Sequence, residues 1–331
     1  MTSLYSRRDL GKLAAAALPV SKLLGQKVDG VQLGICTYSF RSMPRTGADS
    51  VDDVIRAMKE CGGTSCELFS PQLEPENPMA STPASGRQRN AGQDGPAGDP
   101  QARAAAMRAR QNSPEAKKYR EDVRNWRLNT PAEHFRAVRK KFNDAGIEIY
   151  AYTLNFRNDY TDPELDKCFE QAKALGAKTI ASSTQLTVAQ RLAAFAEKHK
   201  MLVALHGHNN TADPNEFSSP ETFQKALDMS KWFRINLDIG HFTAAGFDPV
   251  SYLQEKHDKI THLHIKDRKK NNGSNEPFGE GDTPIKPVLT LLKEKHYPIP
   301  AFIEYEYRGT GTPVEEVKRC IEYERNALKK S

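Results

Sequence analysis

The chain has 331 residues, a hydrophobic fraction of 38% and a formal net charge of +6. This length suits one large α/β barrel or two ordinary domains. The excess of Lys and Arg is spread along predicted helices and one polar stretch, which favours a solvated surface over nucleic-acid binding. Five cysteines without metal-type spacing predict no disulfide framework.

Residues 1–28 have the pattern of a signal peptide. Arg7 and Arg8 precede a short apolar segment, Leu13–Val20, and the paired arginines resemble a twin-arginine export signal. The apolar segment is too short to span a bilayer, so we expect no stable membrane anchor. The predicted location is the periplasm or outside the cell, or the cytoplasm if the signal is not functional. The alternative interpretation is an amphipathic N-terminal helix.

From residue 29 to residue 331, β-type and helical patterns alternate, which favours a parallel sheet. Most apolar runs are short and do not alternate with polar residues, as expected of strands covered on both faces. The predicted strands are Leu33–Tyr38, Ser65–Phe69, Ile147–Thr153, Lys178–Ser183, Leu202–His206, Arg234–Asp238, Ile260–Ile265 and Ala301–Tyr305. Eight strand-then-helix units predict a single-domain α/β fold, a (β/α)8 TIM barrel.

The helical segments carry start and stop signals. Thr130 is a predicted cap, with Pro131 in the first turn and Glu133 three residues after the cap. Gly146 and Gly176 follow predicted helix ends. The predicted helices are Val51–Cys61, Pro114–Leu128, Pro131–Asp144, Asp162–Leu175, Val188–His199, Glu221–Lys231, Pro249–His257, Ile285–Lys295 and Val314–Leu328.

Residues 71–113 interrupt this alternation. They are rich in Pro, Gly, Ala, Arg, Gln and Asn and nearly free of aliphatic residues. Such a composition cannot bury enough apolar surface to offset the entropy of ordering, which predicts a long mobile loop. Because this insertion follows the second strand, it is expected on the catalytic face, either as a lid over the substrate or as a solvated excursion.

Four apolar runs in the second half of the chain end in side chains that bind metals. The carboxyl ends of parallel strands meet at one mouth of a barrel, so these side chains should converge. Two imidazoles and two carboxylates suit Mn²⁺, Zn²⁺, Co²⁺ or Fe²⁺ better than Ca²⁺. The predicted metal ligands are His206, Asp238, His264 and Glu304.

Two further side chains share a strand face with a predicted ligand. His208 lies two residues after His206 and is a candidate ligand, base or substrate contact. Glu306 lies two residues after Glu304, further toward solvent, and either glutamate could serve as ligand or base. Glu304 is favoured as the ligand because it directly follows the apolar run.

The other candidates line the predicted mouth. Lys266 could neutralise a developing oxyanion, or instead form a salt bridge with Asp267. Glu67, at the end of the second strand, is a third candidate base. The predicted substrate contacts are Tyr38, Phe40, His241 and Asp267. For the two aromatic residues, simple packing at the barrel rim is the alternative, and His241 could instead support a metal ligand.

These residues suggest chemistry on a small-molecule carbohydrate. A divalent ion can bind two vicinal sugar oxygens, polarise a carbonyl and stabilise the enediolate that forms when a base removes the α-proton. His208, Glu306 or Glu67 could supply that base.

The motifs resemble those of the sugar phosphate isomerase/epimerase superfamily, also called the xylose isomerase-like barrel or the family-2 apurinic endonuclease fold. The resemblance covers roughly residues 31–325 and is most specific over residues 237–241, 262–267, 278–281 and 303–304. It implies a divalent-metal barrel that epimerises or isomerises sugars, dehydrates inositol-type ketones, or cleaves C-glycosides and keto-sugars.

The resemblance also identifies one departure. The metal quartet of the epimerases is Glu, Asp, His, Glu, and Asp238, His264 and Glu304 match its last three positions. His206 stands where the family often has a Glu that doubles as an acid/base in ketose 3-epimerases. His208 or Glu306 would therefore have to act as the base.

The leading interpretation is a metal-dependent sugar isomerase or epimerase acting on an unphosphorylated carbohydrate, because export and the lack of a phosphate-binding Gly-rich loop argue against sugar phosphates. The alternative is a lyase or dehydratase acting on keto-sugars or on C- or O-glycosides. A non-catalytic sugar-binding barrel and a DNA repair endonuclease are less favoured. The endonuclease needs more ligands on strands two to four than this chain offers. A homo-oligomer is compatible with the sequence.

Overall fold

A computed structural model describes residues 27–77 and 112–329. Eight parallel strands form a closed ring, in which the first barrel strand pairs with both the last and the second. Helices surround the ring. The predicted (β/α)8 barrel is therefore confirmed. In chain order the strands are β1 (Lys27–Val28), β2 (Val31–Cys36), β3 (Ser65–Phe69), β4 (Glu148–Thr153), β5 (Thr179–Ser182), β6 (Leu202–His206), β7 (Phe233–Asp238), β8 (Ile260–Ile265), β9 (Asp267–Arg268), β10 (Asn275–Glu276) and β11 (Ala301–Ile303).

Strands β3, β6 and β8 have the predicted bounds, whereas the first barrel strand begins and ends two residues earlier than predicted and the last is two residues shorter. Strand β2 ends at Cys36, and residues Thr37–Phe40 form a 3₁₀ turn. Strand β11 ends at Ile303, but the Glu304 amide still donates to Ile265 O at 3.0 Å. Glu304 therefore stays at the level where β8 ends.

The helices surround the barrel near their predicted positions. The short helix Ile239–Ala244, directly after β7, was not predicted. The helices are Val51–Glu60, Pro114–Asn129, Ala132–Asp144, Asp162–Leu175, Leu186–His199, Pro220–Met229, Ile239–Ala244, Pro249–Lys256, Ile285–Lys295 and Pro313–Lys329.

The prediction that Thr130 caps the next helix was wrong. The Thr130 hydroxyl instead donates to Trp126 O at 2.6 Å, so it closes the preceding helix, Pro114–Asn129. The following helix begins at Ala132 without a side-chain cap. Thr130 is the C-cap residue of that helix, so the carbonyl four residues earlier lies within reach of its hydroxyl. The other end signals held, since Gly146 (φ 76°) and Gly176 (φ 74°) adopt left-handed conformations after helix ends.

The predicted insertion begins later than residue 71. Leu73 and Glu74 are each only 3% exposed, and the Glu74 carboxylate forms an ion pair with Arg127 at an N–O distance of 2.7 Å. Arg127 also contacts Glu164 at 2.9 Å, so this buried arginine joins the end of the β3 loop to two helices. Residues 78–111 of the expected mobile loop (71–113) and residues 1–26 of the expected signal peptide (1–28) lie outside the described residues, whereas Lys27–Val28 form strand β1.

The core lies inside the barrel and between its strands and helices. Leu68, Val203 and Ile265 on strands, together with Phe135 and Leu289 on helices, are fully buried members of one cluster. Among the residues that the structure describes, no helix is both long and apolar enough to cross a membrane.

A buried glutamate on the last helix makes stability depend on pH. Glu324 is fully buried, and neither carboxylate oxygen has a hydrogen-bond partner. Burial raises the pKa of its carboxyl well above the ordinary value. When the pKa of a group is higher in the folded than in the unfolded state, its contribution to stability is complete at pH values below the unfolded-state pKa. That contribution is lost as the pH rises through the folded-state pKa.

We therefore expect Glu324→Gln to gain stability over wild type as pH rises above about 4.3, the ordinary Glu value. At neutral pH the gain should be at least about 1 kcal/mol, because the wild-type carboxyl must take up a proton on folding and the variant need not. Urea denaturation at several pH values measures this difference. A gain that is independent of pH would contradict the assignment.

Candidate metal centre

The four predicted metal ligands meet at the carboxyl ends of the barrel strands. His206 ends β6, Asp238 ends β7 and lies opposite His264 of β8, and Glu304 directly follows β11. One potential ligand atom from each residue lies within 4.8 Å of those of the others, and all four residues are buried. The convergence predicted from the strand ends is therefore present in the structure.

Two atoms of this quartet are buried without a hydrogen-bond partner. They are Nδ1 of His206 and Oδ2 of Asp238; the second lies 3.1 Å from Lys266 Nζ without forming a hydrogen bond. The other Asp238 oxygen accepts the His241 backbone amide at 2.7 Å and so caps the short helix. Leaving a buried polar atom unpaired costs about 1–3 kcal/mol. A divalent cation would pair both atoms, so the donor set fits a metal.

The electrostatics favour the metal-binding forms of His206 and Glu304, whereas they favour the protonated form of His264. Burial and the neighbouring His264 lower the pKa of His206 well below its ordinary value, so this imidazole is neutral. Burial opposes ionisation of Glu304, but Lys266 and His264 outweigh it and hold the pKa of Glu304 well below its ordinary value. For His264, burial is outweighed by Glu67 and Glu304, which raise its pKa. A metal ion bound to His264 would have to displace the proton that this raised pKa favours.

Lys266 is the charge centre of the cluster. It is 2% exposed, and its Nζ lies 2.8 Å from a Glu304 oxygen and 2.6 Å from a Glu306 oxygen. Asp238 is its third carboxylate neighbour. The alternative salt bridge with Asp267 is not formed, because consecutive strand residues point to opposite faces and Asp267 faces outward.

Asp267 organises a loop and does not join the cluster. Its carboxylate accepts the backbone amides of Gly279, Gly281 and Thr283 at 2.7, 3.0 and 3.2 Å. These hydrogen bonds hold residues 279–283 against β9 and account for the position of the carboxylate, and the prediction that Asp267 contacts substrate stays a prediction.

This packing leaves no space for a side chain at Gly281. A Cβ there would overlap the Asp267 carboxylate and crowd the Arg268 amide. We expect Gly281→Ala to lower the free energy of unfolding by about 1–3 kcal/mol. Chemical denaturation measures the change, with Gly47→Ala as a control because a Cβ at Gly47 meets only an ordinary contact. Equal stability of the two variants would contradict this account of the loop.

The rim of the centre consists of histidines and an arginine. The His208 ring lies 5.1 Å from that of His206 and 5.2 Å from that of His241. His241 Nδ1 lies 2.9 Å from Asn209 Oδ1 and 2.6 Å from Arg268 Nη1. Burial, followed by the charge of Lys266, lowers the pKa of both His208 and His241. His208 and His241 are thus brought to the site as predicted.

Arg268 was missed by the sequence analysis. It is 3% exposed, and its Nη1 donates a hydrogen bond to Asn209 Oδ1 at 2.8 Å. Its Nη2 donates to Gly273 O at 2.6 Å. Its place two residues after Lys266, on the same strand face, was a usable signal. Arg268 lies on the β9–β10 hairpin, which was not predicted. The sequence analysis therefore took Lys266 as the last inward-facing residue of this strand.

The remaining candidates are not at the mouth, or are only at its edge. Glu67 is 1% exposed and lies behind His264, with its Oε2 2.8 Å from His264 Nε2. Phe40 is 2% exposed and belongs to the hydrophobic core, which supports packing instead of substrate contact. Tyr38 is half-buried, and it packs edge-on against Phe69 and beneath the Arg41 guanidinium.

Comparison with known proteins agrees with this architecture. Two curated relatives are an L-ribulose-5-phosphate 3-epimerase UlaE from Salmonella paratyphi A, 30% identical over 100 residues, and an inosose dehydratase from Clostridium tetani, 27% identical over 153 residues. The aligned regions cover 30% and 40% of this chain and 35% and 50% of the respective relatives. The chain thus spans no more than about half the length of these relatives.

Solved structures share the fold across most of the chain. The IolI protein with a bound zinc atom has a TM-score of 0.58 at 14% identity, and the probable 3-DHS dehydratase AsbF from Bacillus anthracis has 0.56 at 15% identity. Each match covers 90% of this chain and 98% of the other. The family model described as xylose isomerase-like TIM barrel matches residues 113–327, more than half of the chain. The chain therefore belongs to the xylose isomerase-like TIM barrel family.

Proposed function

We propose that this protein is a divalent-metal-dependent sugar isomerase or epimerase that acts on an unphosphorylated carbohydrate through an enediolate. The observation that carries the proposal is the buried quartet at the barrel mouth, whose potential ligand atoms lie within 4.8 Å of one another. Two of those atoms have no hydrogen-bond partner inside the protein.

The donor set suits a borderline ion. Two imidazoles and two carboxylates fit Mn²⁺, Zn²⁺, Co²⁺ or Fe²⁺, and the similarity to an IolI structure with a bound zinc atom supports a divalent metal. When bound, such an ion would polarise a substrate carbonyl and stabilise negative charge on its oxygen. The holding residues would be His206, Asp238, His264 and Glu304.

Two rim side chains are placed to move the α-proton. Burial and Lys266 lower the pKa of His208, which leaves a neutral imidazole able to accept a proton. The Glu306 side chain is 18% exposed and bonded to Lys266, so it faces both the cluster and the opening. Lys266 brings a fixed positive charge to the same place, where it would stabilise a developing oxyanion. We favour these two over Glu67 as the base, because Glu67 is enclosed behind His264.

Charge balance favours an uncharged substrate. Four carboxylates in and around the centre face two permanently charged side chains, and one divalent ion with neutral imidazole ligands would balance them. A phosphate group would add negative charge to a set of described side chains whose charges are already balanced. The carboxylates are Glu67, Asp238, Glu304 and Glu306, and the cations are Lys266 and Arg268. This contrasts with the 3-epimerase relative, which is named for L-ribulose 5-phosphate.

Solvent deuterium exchange tests the proposal. Metal-loaded protein would be incubated in D₂O with aldoses, ketoses, 3-keto-glycosides and matching sugar phosphates, and the products analysed by NMR and mass spectrometry. We expect deuterium at a carbon next to the carbonyl of an unphosphorylated sugar, together with an isomerised or epimerised product. Exchange restricted to the phosphates would overturn the substrate class. Exchange nowhere would overturn the function in favour of a binding protein.

A second candidate is a dehydratase, which the similarity to an inosose dehydratase favours. The same α-proton abstraction would then be followed by loss of a hydroxyl as water from the neighbouring carbon. Product analysis in the same experiment separates the two functions. A dehydratase releases a product that is about 18 mass units, or one water, lighter than its substrate.

A further inference from the structure

The structure assigns a role to Glu67 that differs from acid-base catalysis. We propose that Glu67 is a positioning residue: its buried carboxylate fixes the tautomer and ring orientation of His264 so that Nδ1 faces the metal. This inference rests on the proposed metal site, but not on the identity of the substrate or the reaction.

Glu67 is surrounded by donors inside the barrel. Its Oε2 lies 2.7 Å from His262 Nε2 and 2.8 Å from His264 Nε2. Its Oε1 accepts the Thr153 hydroxyl at 2.5 Å. The carboxylate thus receives hydrogen bonds from strands β4 and β8 while it is itself carried by β3. A side chain held on three strands has a fixed position.

The His264 ring lies between two carboxylates. Its Nε2 faces Glu67, and its Nδ1 lies 3.1 Å from Glu304 Oε2, on the side of the metal quartet. Without a cation both nitrogens face a carboxylate, which can only accept a hydrogen bond. A cation held by Glu304 would take the Nδ1 lone pair, and the remaining Nε2–H would then donate to Glu67. Carboxylate–imidazole–metal arrangements orient ligands and raise their basicity.

Two other roles for Glu67 fit the contacts less well. As a base it would need access to the mouth, but it is 1% exposed and lies behind His264. As part of a second metal site, it would share an ion with His264 and Cys36, whose potential ligand atoms lie close together. Burial raises the pKa of the Cys36 thiol to about 12, and the His264 nitrogen facing Glu67 already has a proton to donate.

The first test measures metal affinity of Glu67→Gln without any substrate. A glutamine keeps the shape but weakens the hydrogen bond to His264, and we expect metal binding to weaken about 10–100-fold, measured by competition with a chromogenic chelator. The visible absorption of bound Co²⁺ should also change, because the His264 ligand is reoriented. Glu164→Gln is the matched control: it breaks another buried carboxylate network, that of Arg127, far from the metal ligands.

Unchanged affinity and an unchanged Co²⁺ spectrum in Glu67→Gln, or an equal loss in Glu164→Gln, would overturn the positioning role. A second measurement uses the wild-type protein, in case the variant does not fold. NMR of zinc-loaded, ¹⁵N-histidine-labelled protein should show His264 protonated at Nε2, and protonation at Nδ1 would overturn the proposal. Because neither readout involves turnover, a protein that passes both but exchanges no sugar proton would refute only the proposed function.

Discussion

Replacing His264 with Ala should abolish stoichiometric metal binding and, with it, turnover. His264 lies at the centre of the quartet, with Glu304 on one side and Glu67 behind it. Loss of a residue that only supports a ligand weakens metal binding about 10–100-fold, so loss of the ligand itself should exceed about 100-fold. Metal content after dialysis, measured by mass spectrometry of the element, reports the result directly.

His257→Ala is the control for this variant. His257 is exposed and stacks on Tyr297 at the outside of the barrel. It should keep wild-type metal content and wild-type deuterium exchange. Retention of one metal per chain and of activity in His264→Ala would mean that the cation binds elsewhere.

Lys266→Met should produce the largest change in stability. The substitution keeps the length of the side chain but leaves the Asp238, Glu304 and Glu306 carboxylates together without their ammonium group. Removing one partner from a buried charge cluster costs about 3–5 kcal/mol. We expect that loss in the free energy of unfolding when it is measured by urea denaturation with a chelator present.

A divalent metal should restore part of the stability of this variant, because binding to the folded state alone stabilises it by mass action. Lys198→Met is the matched control, since Lys198 is 61% exposed and its pair with Asp166 lies on the surface. The control should change stability by less than about 1 kcal/mol. A small loss in Lys266→Met, with no response to metal, would contradict the central position of Lys266.

The sequence was sufficient for the barrel because its strands are short apolar runs and its helices carry local end signals. Runs such as Leu202–His206 and Ile260–Ile265 have their predicted bounds. Thr130 failed as a cap because it closes the preceding helix, where its hydroxyl bonds the carbonyl four residues earlier, and the capping pattern after it does not show this.

The metal ligands were predictable for a geometric reason. Parallel strands place their carboxyl ends at one rim, so a ligand-type residue at a strand end already has a known location. How deeply a side chain lies in the barrel, and which way it faces, could not be predicted in the same way. Phe40 lies in the turn after the first barrel strand and Glu67 lies within the second, yet both are enclosed. Asp267 bonds to a loop that is distant in sequence, so its partners could not be read from its neighbours.

Anomalous diffraction from crystals of the protein grown with Mn²⁺ tests the central claim most directly. We predict one strong anomalous peak at full occupancy, about 2.0–2.3 Å from a donor atom of each of His206, Asp238, His264 and Glu304. A peak bound by other residues, or the four side chains refined without any peak between them, would contradict the account.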